Sequence, residues 1–406
     1  MQFIARRFDT LAAVRIEIAQ GRIVRAASVD PASIGANGAG VVLPIVAPGF
    51  VDVQVNGYRG QEFSSLELTP QRVAAIVREH WAFGVTSLCP TLTTQSYDCL
   101  AHGMRVIDAA CRELPDIGHS VAGIHLEGPY FATDDGPRGA HPLEHCRRPN
   151  WDEFQRLQEA AGGRIRILTM SPHFDEAPEF IARVVAAGVI VAIGHTGADG
   201  AQIRAAVDAG ARLSTHLGNG AHRVLRRHPN YLWDQLADDR LLASLIVDGH
   251  HLPGEVVKTM VRAKTPERCL LVSDVSGLAG LPAGRYVSSG GEIEILPDGR
   301  LVIAGQDQLL AGAALPIGVG VTNVMRFAGV HLETAIHMAS THPARLLGRA
   351  PVSLRPGDVA DLVVFDLIAA LEGGTKLVVR ATIAGGELVW GSSGSDCPIR
   401  PLPDRC

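Results

Sequence analysis

The chain has 406 residues, 47% hydrophobic and 19% charged, with a formal net charge of -5. That length exceeds one ordinary domain but suits a barrel with a small appendage. No basic block of the kind that tracks a phosphate backbone is present, which argues against nucleic-acid binding, and no apolar run approaches the ~18 residues that span a bilayer. The opening "MQFIARRFDTLAAVRI" lacks an apolar stretch followed by a small-residue cleavage site, so the expected location is the cytoplasm.

In chain order, residues 1–45 read as short alternating strands and turns, as in "AVRIEIAQGRIVRAASV". Short apolar runs then recur at 47–55, 84–90, 120–127, 164–170, 188–195, 211–216, 242–248 and 268–274. Amphipathic helical patterns separate them. The first is "TPQRVAAIVREHWAF", with Thr69 as N-cap and Pro70 at the first helical position. Two more end at Gly188 and Gly210. Eight buried-type strands alternating with helices over about 230 residues predict an α/β fold, a (β/α)₈ TIM-like barrel. A doubly wound open sheet is the structural alternative. Residues 350–395 return to short strands, and neither end can bury a core alone. The two ends are therefore expected to pair into a small β-sandwich domain (1–45 with 350–395) beside a barrel over 46–349, with a loose tail at 396–406.

The seven cysteines (Cys89, Cys99, Cys111, Cys146, Cys269, Cys397, Cys406) include no Cys-x-x-Cys pair, and reduced structural thiols are expected.

A barrel places its chemistry at the C-terminal ends of its strands. Glu127, His195, His216 and Asp274 end the third, fifth, sixth and eighth predicted strands, and His250 and His251 follow the seventh. One such histidine reads most simply as a hydrogen-bonded structural residue; ionisable groups at five strand ends do not. Two imidazoles and a carboxylate suit a catalytic Zn²⁺ site with an open position for water. Such an ion brings the pKa of bound water to roughly 7. Asp274 is the candidate to take that proton and pass it to a leaving amine; an ion pair with a barrel arginine is its alternative reading. At the first strand, "PGFVDVQVNG" carries Gln54 and Asn56 where many metal hydrolases carry His-x-His, and amides are poor ligands. One metal rather than two is expected, with Gln54 and Asn56 hydrogen-bonding water or the site's own ligands.

"PGFVDVQVNG", "GIHLEGPYF", "GAHP", "AIGHTGA", "THLGNGAH", "VDGHHL", "LVSDVSG" and "LAGAAL" occur in this order. Together they resemble N-acetylglucosamine-6-phosphate deacetylases of the amidohydrolase superfamily. The C-terminal "LRPGDVADLVVFD" resembles that superfamily's return segment into the β domain. The resemblance implies Glu127, His195 and His216 as ligands of one divalent metal, Zn²⁺ first with Fe²⁺, Mn²⁺ or Co²⁺ as alternatives. It implies Asp274 as catalytic acid/base and His141, beside Ala140, as the group polarising the scissile carbonyl. Substrate contacts fall on Ala140, Asn219, Gly220, His251 (rather than His250), Leu310, Ala311 and Gly312. Arg227 matches an arginine that meets the sugar phosphate, often across a dimer interface, a task its planar fork suits.

The implied reaction is hydrolysis of the N-acetyl group of N-acetylglucosamine 6-phosphate, with metal-bound hydroxide as nucleophile. The expected partners are a small-molecule amino sugar phosphate and a second copy in a homodimer, with no nucleic acid and no membrane. The chain departs from the family in the substrate half of the site: "GNGA" follows Thr-His-Leu, "RHPN" replaces Arg-Glu-Pro-Gly, and "AALPI" replaces Ser-x-Leu-Thr-Met. These departures, at Gly218, Gly220, His228 and Pro316, together with Asp134, Asp135 and Arg138 near His141, read as loop drift or as an altered substrate. The alternative substrates are an unphosphorylated or epimeric N-acetylhexosamine, or an N-acyl-D-amino acid.

Overall fold

The computed structural model describes residues 1–30, 43–288, 291–305, 310–370, 373–391 and 399–400. Eight parallel strands follow one another around a barrel: Phe50–Val55, Val85–Thr93, Ile124–Glu127, Ile165–Met170, Ile190–Ile193, Leu213–Ser214, Leu242–Ile246 and Cys269–Val272. Each falls within a predicted run or overlaps it. All six residues of Phe50–Val55 are buried, as expected of parallel strands covered on both faces. The eighth strand returns to the first just beyond its end, through a parallel bridge from Val275 to Val55. Asp274 N donates to Gln54 O at 3.0 Å and Asn56 N to Val275 O at 2.9 Å, which closes the mouth of the barrel. One apolar cluster joins Val51, Cys89, Ile167, Ala192, Leu213, Ile246 and Leu270, from seven of the eight strands. Only the interior brings strands on opposite sides together, so this cluster plugs the barrel below its mouth.

Local chemistry sets the helices as read from sequence. Pro70–Trp81 starts where Thr69 accepts from Arg72 N at 3.2 Å and buries Val73, Ala74, Ile76 and Val77. Gly200–Asp208 starts in a capping box between Asp199 and Gln202. Among the described residues no helix is long and apolar enough to cross a membrane.

The two ends of the chain form the small β domain. Its strands run Glu387–Gly391, Thr375–Ala384, Leu362–Ala369, Ile45–Pro48, Gln2–Arg7, Ala13–Ala19 and Arg22–Ser28 in hydrogen-bonded order. Ile45–Pro48 joins the halves, parallel to Gln2–Arg7 and antiparallel to Leu362–Ala369. Within the segment expected to be a loose tail, Ile399–Arg400 instead pair antiparallel with Gln2–Phe3; the remainder of 396–406 lies outside the described residues. The sequence reading also passes over a three-stranded antiparallel sheet, Gly284–Ser288, Gly291–Ile295 and Leu301–Ile303, inserted after the eighth barrel strand. Cys89, Cys99, Cys111, Cys146 and Cys269 are free thiols; Cys397 and Cys406 lie outside the described residues.

Candidate active site

Glu127 is the last residue of the third strand, and His195, His216 and Asp274 each stand two residues beyond the fifth, sixth and eighth. At these three positions the backbone turns left-handed, with φ of 50°, 30° and 51°. A non-glycine residue held there costs about 1–3 kcal/mol and persists only where its surroundings impose it. The turn tips each side chain over the barrel mouth, where one cavity of about 900 Å³ (open mouth included) takes in all four. Gly220, at φ +57°, permits this packing: a Cβ there would lie 2.7 Å from His195 Nδ1.

His195 Nε2 is 3.0 Å from His216 Nε2, 3.3 Å from Glu127 Oε1 and 3.2 Å from His141 Nε2. His216 Nε2 is 3.1 Å from Glu127 Oε1. His195 Nδ1 lies 2.9 Å from Pro137 O. A carbonyl can only accept, so in neutral His195 the proton sits on Nδ1 and Nε2 presents a lone pair. One carboxylate oxygen and three imidazole nitrogens converge, with the lone pair of His195 Nε2 directed among them, an arrangement that a divalent cation would relieve. The donor set fits such an ion. Two triplets are available, since the ligand atoms of Glu127, His141 and His195 also lie within 4.8 Å of one another. The strand-borne triplet with His216 is the better defined. His216 sits closer to both shared members, and its backbone N–H is held by Ser244 Oγ at 2.7 Å. His141 comes from a loop and packs edge-on against Phe131, ring centroids 4.7 Å apart.

Burial dominates the electrostatics. For Glu127 it favours the neutral acid, but hydrogen bonds and charge from His195 and His216 outweigh it and hold the carboxyl well below its ordinary range. Burial pushes His141 and His195 down. For His216 burial is again the largest influence, yet Glu127 and Asp274 reverse it and raise the imidazole. Asp274 is pushed up to about 6 by burial and the Glu127 charge, with His216 and Asn56 opposing. A buried carboxyl placed near neutrality suits proton transfer.

The amides of the first strand reach the site's own side chains. Gln54 Nε2 donates to Glu127 Oε1 at 2.9 Å and Asn56 Nδ2 to Asp274 Oδ1 at 2.8 Å.

A family profile for the Amidohydrolase family matches residues 45–389. The chain belongs to that family. Within it, this amidohydrolase is 35% identical over 365 residues to N-acetylglucosamine-6-phosphate deacetylase of Bos taurus, covering 85% of this chain and 83% of that protein. It is 33% identical over 325 residues to N-acetylgalactosamine-6-phosphate deacetylase of Escherichia coli O157:H7, covering 79% and 84%. A solved mutant of N-acetyl-D-glucosamine-6-phosphate deacetylase from Mycobacterium smegmatis, in complex with N-acetyl-D-glucosamine-6-phosphate, superposes with a TM-score of 0.83. That pair is 31% identical, over 96% of this chain and 99% of the other.

The amidohydrolase cavity brings together His141, Ala140, Asn219, Gly220, His251, Leu310, Ala311 and Gly312 with the four strand-end residues. His250 lies outside it, exposed, in a second cavity near Arg326 and Lys376. Arg227 does not line the active-site cavity of its own chain; it is exposed beside Arg226 and His228. Arg138 pairs with Asp135 and donates to His141 O at 2.9 Å, so this departure loop ties down the backbone of His141. Sequence reasoning missed Glu62, Ser64, Thr93, Ser288 and Ile293 in the cavity wall. It also missed Asp248, which stands two residues past the seventh strand, in register with His195, His216 and Asp274. That shared offset was the signal available for it.

Proposed function

We propose that this amidohydrolase removes the N-acetyl group of N-acetylglucosamine 6-phosphate, giving acetate and glucosamine 6-phosphate. The observation that carries this is Asp274 beside the Glu127, His195 and His216 cluster in a single cavity, in a chain whose relatives are named for that hydrolysis. Glu127, His195 and His216 would hold one divalent ion, Zn²⁺ first. When bound, such an ion supplies an acidified water and a Lewis acid for the acyl oxygen.

The chain's own residues do the rest. Asp274 accepts the proton of the attacking water at Oδ2, because Oδ1 is taken by Asn56 Nδ2. It then gives that proton to the nitrogen as the C–N bond breaks and a C–O bond replaces it. His141, kept neutral by burial, offers a ring N–H to the acyl oxygen, where negative charge grows in the transition state. His251, Asn219, Gly220, Ala140 and residues 310–312 line the same cavity and would contact the sugar.

A phosphate is met most strongly by an arginine or lysine, and among the described residues lining the cavity there is neither. Arg227 of a second copy, exposed on its loop, supplies that charge in a homodimer. A phosphorylated sugar does not cross a bilayer unaided, which supports action in the cytoplasm. The Escherichia coli relative favours a second reading, the N-acetylgalactosamine epimer. Acetate release is measured on phosphorylated and unphosphorylated N-acetylglucosamine and N-acetylgalactosamine, with Asp274→Asn as control. Release from a phosphorylated sugar that the control abolishes is expected. Equal rates with and without phosphate would remove the role of Arg227, and no release from any of them would overturn the reading.

A further inference from the structure

The loop after the seventh barrel strand holds a carboxylate–imidazole pair whose carboxylate, Asp248, has no part in the hydrolysis above. Asp248 Oδ2 lies 2.8 Å from His251 Nδ1, and their side chains are 5% and 7% exposed. Asp248 Oδ1 accepts the backbone N–H groups of His250 and His251 at 2.8 and 2.9 Å. Gly249 at φ +91° makes so tight a turn accessible. On the other side Asn323 Nδ2 donates to Val247 O at 2.9 Å. The imidazole of His251 is therefore fixed in place with Nδ1 consumed, and it faces the cavity that holds Asp274 and Asn219.

We propose that Asp248 is a positioning residue that sets the tautomer of His251, so that the enzyme selects a sugar with a hydroxyl donor at the position His251 reads. This rests on the deacetylase reading above. An ionised carboxylate only accepts hydrogen bonds. Asp248 stays ionised at working pH: burial raises it, but His251 and the two N–H groups outweigh burial and bring it down to about 2. Neutral His251 must then carry its proton on Nδ1, and Nε2 is left as an acceptor. An acceptor in a buried wall recognises an O–H and rejects a group that cannot donate, because the pair would be left unmade. Selectivity at that position thus originates in a residue that does not reach the sugar.

Asp248→Asn reverses the polarity and keeps the fold. The two backbone N–H groups hold the amide oxygen in the place of Oδ1, so the amide N–H₂ faces Nδ1 and drives the ring proton to Nε2. The readout is kcat/KM on N-acetylglucosamine 6-phosphate and on its 3-deoxy-3-fluoro and 4-deoxy-4-fluoro analogues, whose fluorine cannot donate. Assays run at about pH 8.5. Wild type is expected to lose about 10–100-fold on one fluoro analogue relative to the parent, and Asp248→Asn to shrink that ratio to about threefold or less. A ratio unchanged in Asp248→Asn, with all three substrates slowed alike, would mean that Asp248 only braces the loop and would overturn the proposal. So would a wild-type enzyme that discriminates against neither fluoro sugar. Acetate release from the parent sugar by wild type tests the underlying reading separately: without it, the deacetylase assignment fails first.

Discussion

Asn56→Ala tests whether the first-strand amide tunes the proton-transfer group. Asp274 is pushed up to about 6 by burial and the Glu127 charge, against His216 and the Asn56 hydrogen bond. That bond, Nδ2 to Oδ1 at 2.8 Å, stabilises the carboxylate and not the acid. A hydrogen bond to a charged group is worth about 1.5–3 kcal/mol, and each pH unit corresponds to about 1.36 kcal/mol. Full loss would move the carboxyl upward by about one to two pH units; water entering the vacated space recovers part of it, so about one unit is expected. Asp274 takes a proton only when ionised, so activity falls as pH drops through its pKa. The substitution therefore shifts the acid limb of kcat/KM upward by about one pH unit relative to wild type, while the rate at about pH 8.5 stays within about fivefold of wild type. Acetate release measured from about pH 5 to about pH 9 reads both features. A limb that stays put or moves down, or a loss equal at every pH, refutes the electrostatic reasoning and leaves Asn56 as a packing residue.

Asp274→Asn should lower acetate release by about 10²–10⁴ and also stabilise the metal-free fold at pH 8. The folded carboxyl sits at about 6 against an ordinary 3.8, so its ionisation opposes folding increasingly from about pH 3.8 and in full above about pH 6. Below the unfolded value both states are protonated and the penalty vanishes. The difference of about 2.2 pH units sets an upper limit near 3 kcal/mol, read as a rise of several degrees in thermal midpoint at pH 8 and a much smaller one at pH 4. Chelation should lower the wild-type midpoint, and returning Zn²⁺ at about 100 times its Kd should restore about 2.7 kcal/mol; His195→Ala should abolish that response. Arg227→Ala should raise KM for the phosphorylated sugar about 10–100-fold and leave the unphosphorylated one unchanged. Mixing it with Asp274→Asn should then regain activity, because a heterodimer assembles one complete site.

The barrel was legible because its strands are largely buried on both faces and leave short apolar runs such as "GVIVAIGH", bounded by glycine and alternating with helical patterns. The inserted sheet at 284–303 was not read, although "EILPDGRLVI" carries a turn signal between alternating runs. Its strands are half exposed; Gly284–Ser288 alternates intermediate and exposed residues, and a search for fully apolar runs passes over such a segment. The pairing of Ile399–Arg400 with Gln2–Phe3 joins residues at opposite ends of the chain, and nothing local announces a partner so distant.

The site shows the same division at finer scale. That Glu127, His195, His216 and Asp274 share a mouth follows from one rule about strand ends, which sequence can apply without coordinates. What each atom does follows from partners the rule does not supply. Gln54 and Asn56 are two residues apart, at and just past the end of one strand and of one chemical type, yet one amide serves a carboxylate of the cation cluster and the other the proton-transfer carboxylate. That division is decided by the closure of the eighth strand on the first, where Asp274 N binds Gln54 O and Asn56 N binds Val275 O. The closure fixes which side chain stands opposite Asn56. The left-handed backbone at His195, His216 and Asp274 belongs to the same class of fact. It runs against the local preference of these residues, and only the assembled barrel mouth imposes it. Residue type and order therefore report the reaction class, whereas closure of the barrel determines which protons can move.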